Sequence, residues 1–179
     1  KGIKYVVVTS TSGSTALIMA DELKDLDVKL IAFTIPPVWN DIFPFIPTIR
    51  EDVKKKLEAK GIRIMEGVLP AIECGPNTIE CASSQKDRRQ IDTSAIWEIL
   101  HGVGGQGLPT AVEAIFTAVK EGEVPIGAEV IGVGGTGNGA DTAIVMKATP
   151  YEQMLSGPKE NRFNILEIIA LPKNKIRYW

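Results

Sequence analysis

The sequence predicts an α/β sandwich built on a mixed β-sheet. Short β-branched runs, typical of buried strands, alternate with segments whose apolar residues repeat at helical spacing. The first 34 residues follow a strand, helix, strand order that is typical of a parallel crossover unit. Two strand runs near the end of the chain follow one another without a helix between them, which indicates an antiparallel part of the sheet. The chain length of 179 residues predicts a single domain over residues 1–179.

The first half of the chain is predicted to supply three strands and two helices. The run Tyr-Val-Val-Val-Thr is too short for a helix and apolar enough for a strand that is buried on both faces. The predicted elements are, in order, a strand at 5–9, a helix from Ser14 to about 25–27, a strand at 28–33, a helix at 49–59 closed by Gly61, and a strand at 62–65.

The second half is predicted to supply two helices and three strands. These are a helix from Asp92 or Thr93 to about Leu100, a helix at 108–119, and strands at 128–133, 142–148 and 165–171. Prolines and glycines interrupt any period over residues 67–91, and a structureless loop of that length is unusual. We therefore expect a partly helical excursion there.

Composition and charge exclude several classes of function. Twenty basic and 22 acidic residues give a formal charge of −2, which supplies no field for attracting nucleic acid or anionic membranes. No apolar stretch reaches the ~20 residues that a membrane-spanning helix needs. Cys74 and Cys81 match neither a zinc nor a redox spacing, so we expect reduced thiols in a cytoplasmic protein, with a local disulfide as the alternative. Because His101 is the only histidine, we expect no metal site.

A segment rich in hydroxyl groups follows the first strand, and we call residues 10–15 the hydroxyl loop. Six of the seven residues from Thr9 to Thr15 carry hydroxyls, and a helix starts directly afterwards. A helix N-terminus offers unpaired N–H groups, and serine and threonine hydroxyls add further donors, so the loop suits a phosphate group. The loop lacks the lysine of a Walker A motif. The alternative is that Ser12 or Ser14 merely caps the helix.

A glycine-rich segment follows the fourth main strand, and we call residues 134–141 the glycine turn. A formal GxGxxG pattern at Gly132, Gly134 and Gly137 runs into this turn, but the segment leads into a strand, whereas a dinucleotide fingerprint opens a helix. A second formal match at 102–107 follows a helix and fails the same test. Both segments are interpreted as turns that let a ligand approach the backbone, or else as plain structural turns. Asp141 is either a turn former or a partner for a ligand hydroxyl.

Two further features are candidates for a role beside a ligand. The aromatic loop with Trp39, Phe43 and Phe45 either stacks on a flat ring or packs on the core or a second subunit. His101 and Glu113 flank the 102–107 segment and are the candidate catalytic residues, with Glu113 beside an apolar helix stripe that favours its burial. The structural alternative for His101 is a helix-end histidine near the negative end of the dipole.

The quoted motifs resemble a known family. Residues 6–16 (VVVTSTSGSTA) and 28–34 (VKLIAFT) are similar to the C-terminal domain of pyruvate kinase, whose Thr/Ser-Gly loop holds the phosphate of a sugar-phosphate effector. Residues 132–145 (GVGGTGNGADTAIV) and 167–174 (EIIALPKN) resemble stand-alone archaeal relatives of that domain, a family of unknown function with FMN-binding members. The motifs cover both ends of the chain, and the GADTA stretch is the most specific of them.

The resemblance implies a fold, a cofactor and a site. The implied fold is a three-layer α/β/α sandwich with strand order 3-2-1-4-5 and an antiparallel fifth strand. The direction of that order reverses between strands 1 and 4, where open α/β sheets bind ligands. The implied cofactor is FMN, and the expected cofactor-binding residues are Ser10, Thr11, Ser12, Gly13, Ser14, Thr15, Thr34, Gly134, Gly135, Thr136, Gly137, Gly139, Ala140, Asp141 and Thr142.

The expected function follows from these observations. The chain lacks the barrel domain in which pyruvate kinase carries out catalysis, so pyruvate kinase activity is not expected. Family members also have an N-terminal extension before the first strand, which suggests a truncated N-terminus here. We expect a protein that binds FMN or another small phosphate-bearing ligand, with flavoenzyme activity on an unknown substrate and assembly as a homo-oligomer. The alternatives are a redox-silent sugar-phosphate sensor and an assembly subunit with structural glycine loops.

Overall fold

The described part of the chain has an α/β architecture with four α-helices and a mixed main sheet of six strands, which confirms the predicted class. The structure is a computed structural model that describes residues 2–35, 48–67, 78–84, 87–137 and 139–175. The first half contains β1 (Tyr5–Thr9), α1 (Ser14–Glu22), β2 (Lys29–Thr34), α2 (Glu51–Ala59) and β3 (Arg63–Glu66). The second half contains β4 (Thr78–Ser84), β5 (Asp87–Asp92), α3 (Thr93–Gly104), α4 (Gly107–Lys120), β6 (Glu129–Gly134), β7 (Thr142–Lys147) and β8 (Ile165–Ala170).

The main sheet has the order β3-β2-β1-β6-β7-β8. Strands β1, β2, β3 and β6 are parallel, whereas β7 pairs antiparallel with β6 and β8 pairs antiparallel with β7. The chain leaves β1 toward β2 on one side and reaches β6 on the other side, so the order reverses between β1 and β6. The sheet also has a sixth strand, β8, which the residue pattern predicts and the five-strand order from the family resemblance does not include.

Two apolar cores lie on opposite faces of this sheet because successive strand residues point to opposite sides. Val6 and Val8 of β1 pack with α1 and α2. Val7, between them, packs with α3 and α4 on the other face. Residues 107–109 and 111–119 of α4 are all buried, so this helix is covered on its outer side as well. The edge-to-face contact of Phe116 with Tyr151, at a ring centroid distance of 5.6 Å, is part of that cover.

The structure adds detail to two expectations about the middle of the chain. Of the partly helical excursion expected within residues 67–91, residues 68–77, 85 and 86 lie outside the described residues, and residues 78–84 and 87–91 belong to the antiparallel hairpin β4–β5, with Ile79 opposite Ile91. Residues 78–81 alternate polar and apolar residues, which is a strand pattern, whereas β5 begins with four polar residues. In addition, α3 extends beyond Leu100 to Gly104. A Cβ atom on Gly104 would lie 2.3 Å from the Cβ of Leu108, so this glycine lets α3 and α4 approach closely. The glycine segment expected at 102–107 therefore shrinks to two residues, Gly105 and Gln106.

Candidate functional site

The hydroxyl loop and the glycine turn leave the same edge of the sheet. Strands β1 and β6 pair in parallel from Tyr5 opposite Val130 to Val8 opposite Val133, so their carboxyl ends coincide. The Thr9 hydroxyl donates a hydrogen bond to the Val133 carbonyl over 3.2 Å and ties the two ends together. The structure therefore brings both predicted segments to the point where the strand order reverses, the usual place for a ligand in an open α/β sheet.

Ser10 belongs to the framework of the hydroxyl loop. Its side chain is buried, and its hydroxyl accepts a hydrogen bond from the Ala16 N–H over 3.2 Å. Its own N–H donates to the Phe33 carbonyl at 2.8 Å, and its carbonyl accepts the Gly13 N–H at 3.1 Å. Gly13 begins α1 with a left-handed φ of 82°, so it makes the turn but provides no side-chain cap. The Ser10 hydroxyl thus caps α1 at Ala16, and the Ser12 hydroxyl also accepts the Ser14 N–H, over a longer distance of 3.5 Å.

The remaining hydroxyls of the loop lie nearer the surface. The Ser12 and Ser14 hydroxyl oxygens are 2.9 Å apart and form a hydrogen bond with each other. Ser14 is exposed, and Thr11 and Thr15 are half-buried. Within the described residues, the hydroxyls of Thr11 and Thr15 and the N–H of Thr15 have no hydrogen-bond partner. The start of α1 thus offers a group of donors that the protein itself does not use.

Thr34 lies beneath the loop. It is fully buried at the end of β2, and its hydroxyl donates to the Thr11 carbonyl over 2.9 Å. This bond fixes the backbone of the hydroxyl loop from below. The hydroxyl of Thr34 therefore contacts the loop, while its carbonyl accepts the Gly67 N–H at 3.2 Å.

The glycine turn is packed tightly against its own backbone and against α4. A Cβ atom on Gly134 would lie 2.1 Å from the Gly107 carbonyl oxygen, and one on Gly135 would lie 2.0 Å from the Gly139 carbonyl oxygen. A side chain at Gly135 would therefore collide with the turn itself. The outer part of the turn is open to solvent and consists of Gly137, Gly139 and Ala140. Gly139 has a left-handed φ of 81°, and a Cβ atom on it would have no described atom within 4 Å.

Asp141 closes the turn. One carboxylate oxygen accepts the Thr136 N–H at 3.0 Å, and the other accepts the Thr142 hydroxyl at 2.8 Å. The Asp141 N–H donates to the Gly134 carbonyl at 3.1 Å. Of the two roles predicted for Asp141, these bonds favour the turn former. The Thr136 hydroxyl oxygen is buried and has no hydrogen-bond partner in the part of the chain that the structure describes, so the turn contains one unused polar atom.

His101 and Glu113 are both buried, with 7% and 4% of their surface exposed. His101 lies in the last turn of α3, where Nδ1 contacts the Trp97 carbonyl at 2.8 Å and Nε2 contacts the Gln106 side-chain oxygen at 3.1 Å. Both ring nitrogens are thus engaged within the protein. Glu113 lies in the second turn of α4 and also has an interaction partner. The burial expected for Glu113 is present, but neither group is placed on the two loops.

Sequence reasoning missed the start of α2 as a neighbour of the hydroxyl loop. A Cβ atom on Gly13 would lie 2.5 Å from Val53 and 3.1 Å from Ile49, so α2 begins directly beside α1. Arg50 stands between those two residues, with an exposed side chain that pairs with Asp52 at 3.0 Å. No motif identifies this cation, because the contact joins residues about forty positions apart. The aromatic loop with Trp39, Phe43 and Phe45 and the thiol Cys74 lie outside the described residues.

Other charged groups lie away from the two loops. Hydrogen bonds from Lys29 and Arg63, at the amino ends of β2 and β3, lower the pKa of the Glu123 carboxyl. The hydrogen bond to Glu66 raises the pKa of Lys54. The described residues contain no cluster of three or more groups that could hold a metal ion, and none of the described helices is long and apolar enough to cross a membrane.

A comparison with known protein families finds no family model that matches the chain.

Proposed function

We propose that this protein binds FMN, or another small ligand that ends in a phosphate group, between the hydroxyl loop and the glycine turn. One observation carries the proposal: unused hydroxyl and N–H donors stand at the start of α1, where the strand order reverses. A phosphate group accepts such hydrogen bonds and is stabilised by the positive end of the helix dipole. This donor set fits a phosphate better than an apolar or cationic group.

The described residues also fit the rest of such a ligand. Ser12, Ser14 and Thr15 would hold the phosphate. The exposed outer glycines of the turn, such as Gly139, leave room for a flat group. Bound FMN would supply electron transfer, since flavins carry that chemistry themselves. Asp141 would keep the turn in shape.

The family likeness is part of this proposal. Counted in chain order, the main-sheet strands run 3-2-1-4-5-6 with the fifth strand antiparallel, which supports a fold like the C-terminal domain of pyruvate kinase. The cytoplasmic location and the lack of pyruvate kinase activity belong to the same proposal. A redox-silent module that senses a sugar phosphate is the second candidate. It is favoured by the engagement of both His101 nitrogens within the protein.

Ligand titration tests the proposal. The purified protein is expected to be yellow and to release FMN on denaturation, and the stripped protein should bind FMN at least tenfold more tightly than riboflavin, which lacks the phosphate. Equal affinity for FMN and riboflavin would remove the hydroxyl loop from the site. If neither FMN nor any sugar phosphate binds, the proposal is wrong, and the result favours the alternative of an assembly subunit with structural glycine loops.

Anaerobic reduction separates the two candidates. A flavoenzyme should be reduced by NADH or NADPH, with a rate that falls in a Glu113→Gln variant if that carboxyl takes part in proton transfer. Bound flavin that neither nucleotide reduces would favour the redox-silent module.

A further inference from the structure

The link between α3 and α4 is short. Only Gly105 and Gln106 separate the two helices. Gly105 has a left-handed φ of 66°, and Gln106 is buried directly before the first residue of α4. Within the described residues, the Gln106 side chain makes no capping hydrogen bond to α4. Contacts other than a cap therefore hold this link in place.

His101, in the last turn of α3, contacts both residues of the link. Its carbonyl accepts the Gly105 N–H at 2.8 Å, and its Nε2 lies 3.1 Å from the Gln106 side-chain oxygen. Its Nδ1 lies 2.8 Å from the Trp97 carbonyl, which can only accept a hydrogen bond, so Nδ1 carries a proton and donates it. One nitrogen of the ring is thereby fixed to the body of α3, and the other holds Gln106. Since His101 and Gln106 are both buried, water has little access to their contact.

The link sets the position of Gly107, the first residue of α4, which packs on the glycine turn. A Cβ atom on Gly107 would collide with the Asp141 carboxylate and the Thr142 hydroxyl, and one on Gly134 would collide with the Gly107 carbonyl. The backbone of α4 therefore lies directly against the turn. A shift of the start of α4 would displace Asp141, whose carboxylate accepts the Thr136 N–H at 3.0 Å.

We propose that His101 is a positioning residue for the ligand site. Its ring fixes the link, the link fixes the start of α4, and the start of α4 supports the glycine turn from behind. Any residue at this position could offer the backbone carbonyl, whereas the contact between Nε2 and Gln106 needs the side chain. The effect on the ligand rests on the proposed function, while the effect on the glycine turn does not.

Two substitutions of His101 separate the roles of the two ring nitrogens. The side-chain amide of a glutamine reaches the position of Nε2, and that of an asparagine reaches the position of Nδ1. His101→Gln therefore keeps the contact with Gln106, and His101→Asn keeps the contact with the Trp97 carbonyl. Because each variant loses one buried hydrogen bond, both are expected to lose similar amounts of stability, which makes them a matched pair.

Amide hydrogen exchange of the unliganded protein measures the effect on the turn. The Thr136 N–H should exchange about tenfold faster or more in His101→Asn than in His101→Gln, because only the first variant releases the link. The Ser10 N–H, which donates to the Phe33 carbonyl in the hydroxyl loop, is the internal control and should exchange equally in both variants. Equal exchange of the Thr136 N–H in the two variants would overturn the proposal.

Gln106→Met removes the same contact from its other side. It should reproduce the faster Thr136 exchange, and combining it with His101→Asn should add little, because the two changes remove one shared interaction. Fully additive effects would overturn the proposal. Should His101→Asn fail to fold, Gln106→Met decides against the wild type: faster Thr136 exchange supports the proposal, and unchanged exchange overturns it.

Titration with FMN extends the test to the ligand. The dissociation constant should rise about tenfold or more in His101→Asn and stay within about threefold of wild type in His101→Gln, because only the second variant keeps the support of the turn. If FMN binds equally to the wild type and to His101→Asn although Thr136 exchange differs, His101 positions the turn but not the ligand, and the proposal is overturned. If the wild type binds no FMN, the proposed function is wrong, and the exchange comparison still decides whether His101 positions the turn.

Discussion

The hydroxyl loop and the glycine turn lie side by side at one edge of the sheet, yet they use their polar groups in opposite ways. In the glycine turn, Asp141 takes up the Thr136 N–H and the Thr142 hydroxyl, and the backbone packs on itself. In the hydroxyl loop, Ser10 is the buried hydroxyl that holds the backbone and Ser12 makes a longer contact with the Ser14 N–H, whereas Thr11 and Thr15 keep hydroxyls without a partner among the described residues. The glycine turn is thus a frame, that is, a segment held in shape by its own bonds, whereas the hydroxyl loop presents donors that have no partner among the described residues.

This difference predicts which residues contribute to the stability of the fold and which contribute to ligand recognition. A residue whose bonds are internal should affect the free energy of unfolding when it is changed, because buried groups lose their partners. A residue with free donors should affect ligand affinity and leave stability almost unchanged. The site residues predicted as one group therefore divide into two, and substitutions in each segment can break or sharpen the division.

The largest effect is expected in the frame. Gly135→Val places a side chain against the Gly139 carbonyl, only 2.0 Å from the new Cβ, so the turn must rearrange. We expect a loss of about 3 kcal/mol or more in the free energy of unfolding, measured by urea denaturation. Ala140→Val in the exposed part of the same turn is the control and should change stability by less than about 0.5 kcal/mol. Wild-type stability in Gly135→Val would mean that the turn is not a rigid frame.

Much of the fold could be predicted because buried strands and amphipathic helices leave clear periods. The β1 range 5–9 agrees with the prediction, and β2 and β6 are each displaced by one residue. The hairpin strands β4 and β5 were missed because only residues 78–81 alternate and β5 begins with four polar residues, so no clear period of two marks it. Local sequence patterns report local structure, and the prediction failed where a segment rich in proline and glycine adjoins the strands of the hairpin.

Only the position of the candidate site could be predicted from the sequence. The order of strands and loops brings the two segments together, which a pattern of elements can indicate. The use of each hydroxyl could not be predicted, since Ser10 and Thr15 look alike in sequence and differ only in burial and partners. The position of the start of α2 beside the loop depends on packing between Gly13 and Val53, a tertiary contact that no local motif encodes.

The next effect concerns recognition. Thr15→Ala removes a hydroxyl that has no partner in the described structure, so FMN affinity should fall about tenfold or more, because a hydrogen bond to a charged group is lost. The free energy of unfolding should stay within about 0.5 kcal/mol of wild type. Isothermal titration and urea denaturation measure the two quantities. Thr15→Ser keeps the hydroxyl and is expected to retain most of the affinity. An unchanged affinity in Thr15→Ala would contradict the proposed phosphate contact.

A smaller effect is expected at Ser10, which belongs to the loop but acts as part of its frame. Ser10→Ala leaves the Ala16 N–H without the hydroxyl that accepts it at 3.2 Å, so the protein should lose about 1 kcal/mol of stability. Ser12→Ala is the matched control and should change the free energy of unfolding by less than about 0.5 kcal/mol. Thermal or urea unfolding of both variants decides the point. Equal effects of the two substitutions would show that the loop does not divide as described.

The smallest effect is expected at Arg50, whose exposed guanidinium is shared between Asp52 and solvent beside the start of α1. A phosphate on the hydroxyl loop would attract this cation, although solvent screens an exposed pair, so Arg50→Ala should weaken FMN binding by roughly threefold. Asp52→Asn removes the competing carboxylate and should strengthen binding by a similar factor. Both changes should shrink at high salt, where exposed charges are screened, whereas the loss in Thr15→Ala should persist. Titrations at low and high ionic strength measure this contrast. If Arg50→Ala and Asp52→Asn shift the affinity in the same direction, the phosphate does not lie between α1 and α2, and recognition is confined to the hydroxyls of the loop.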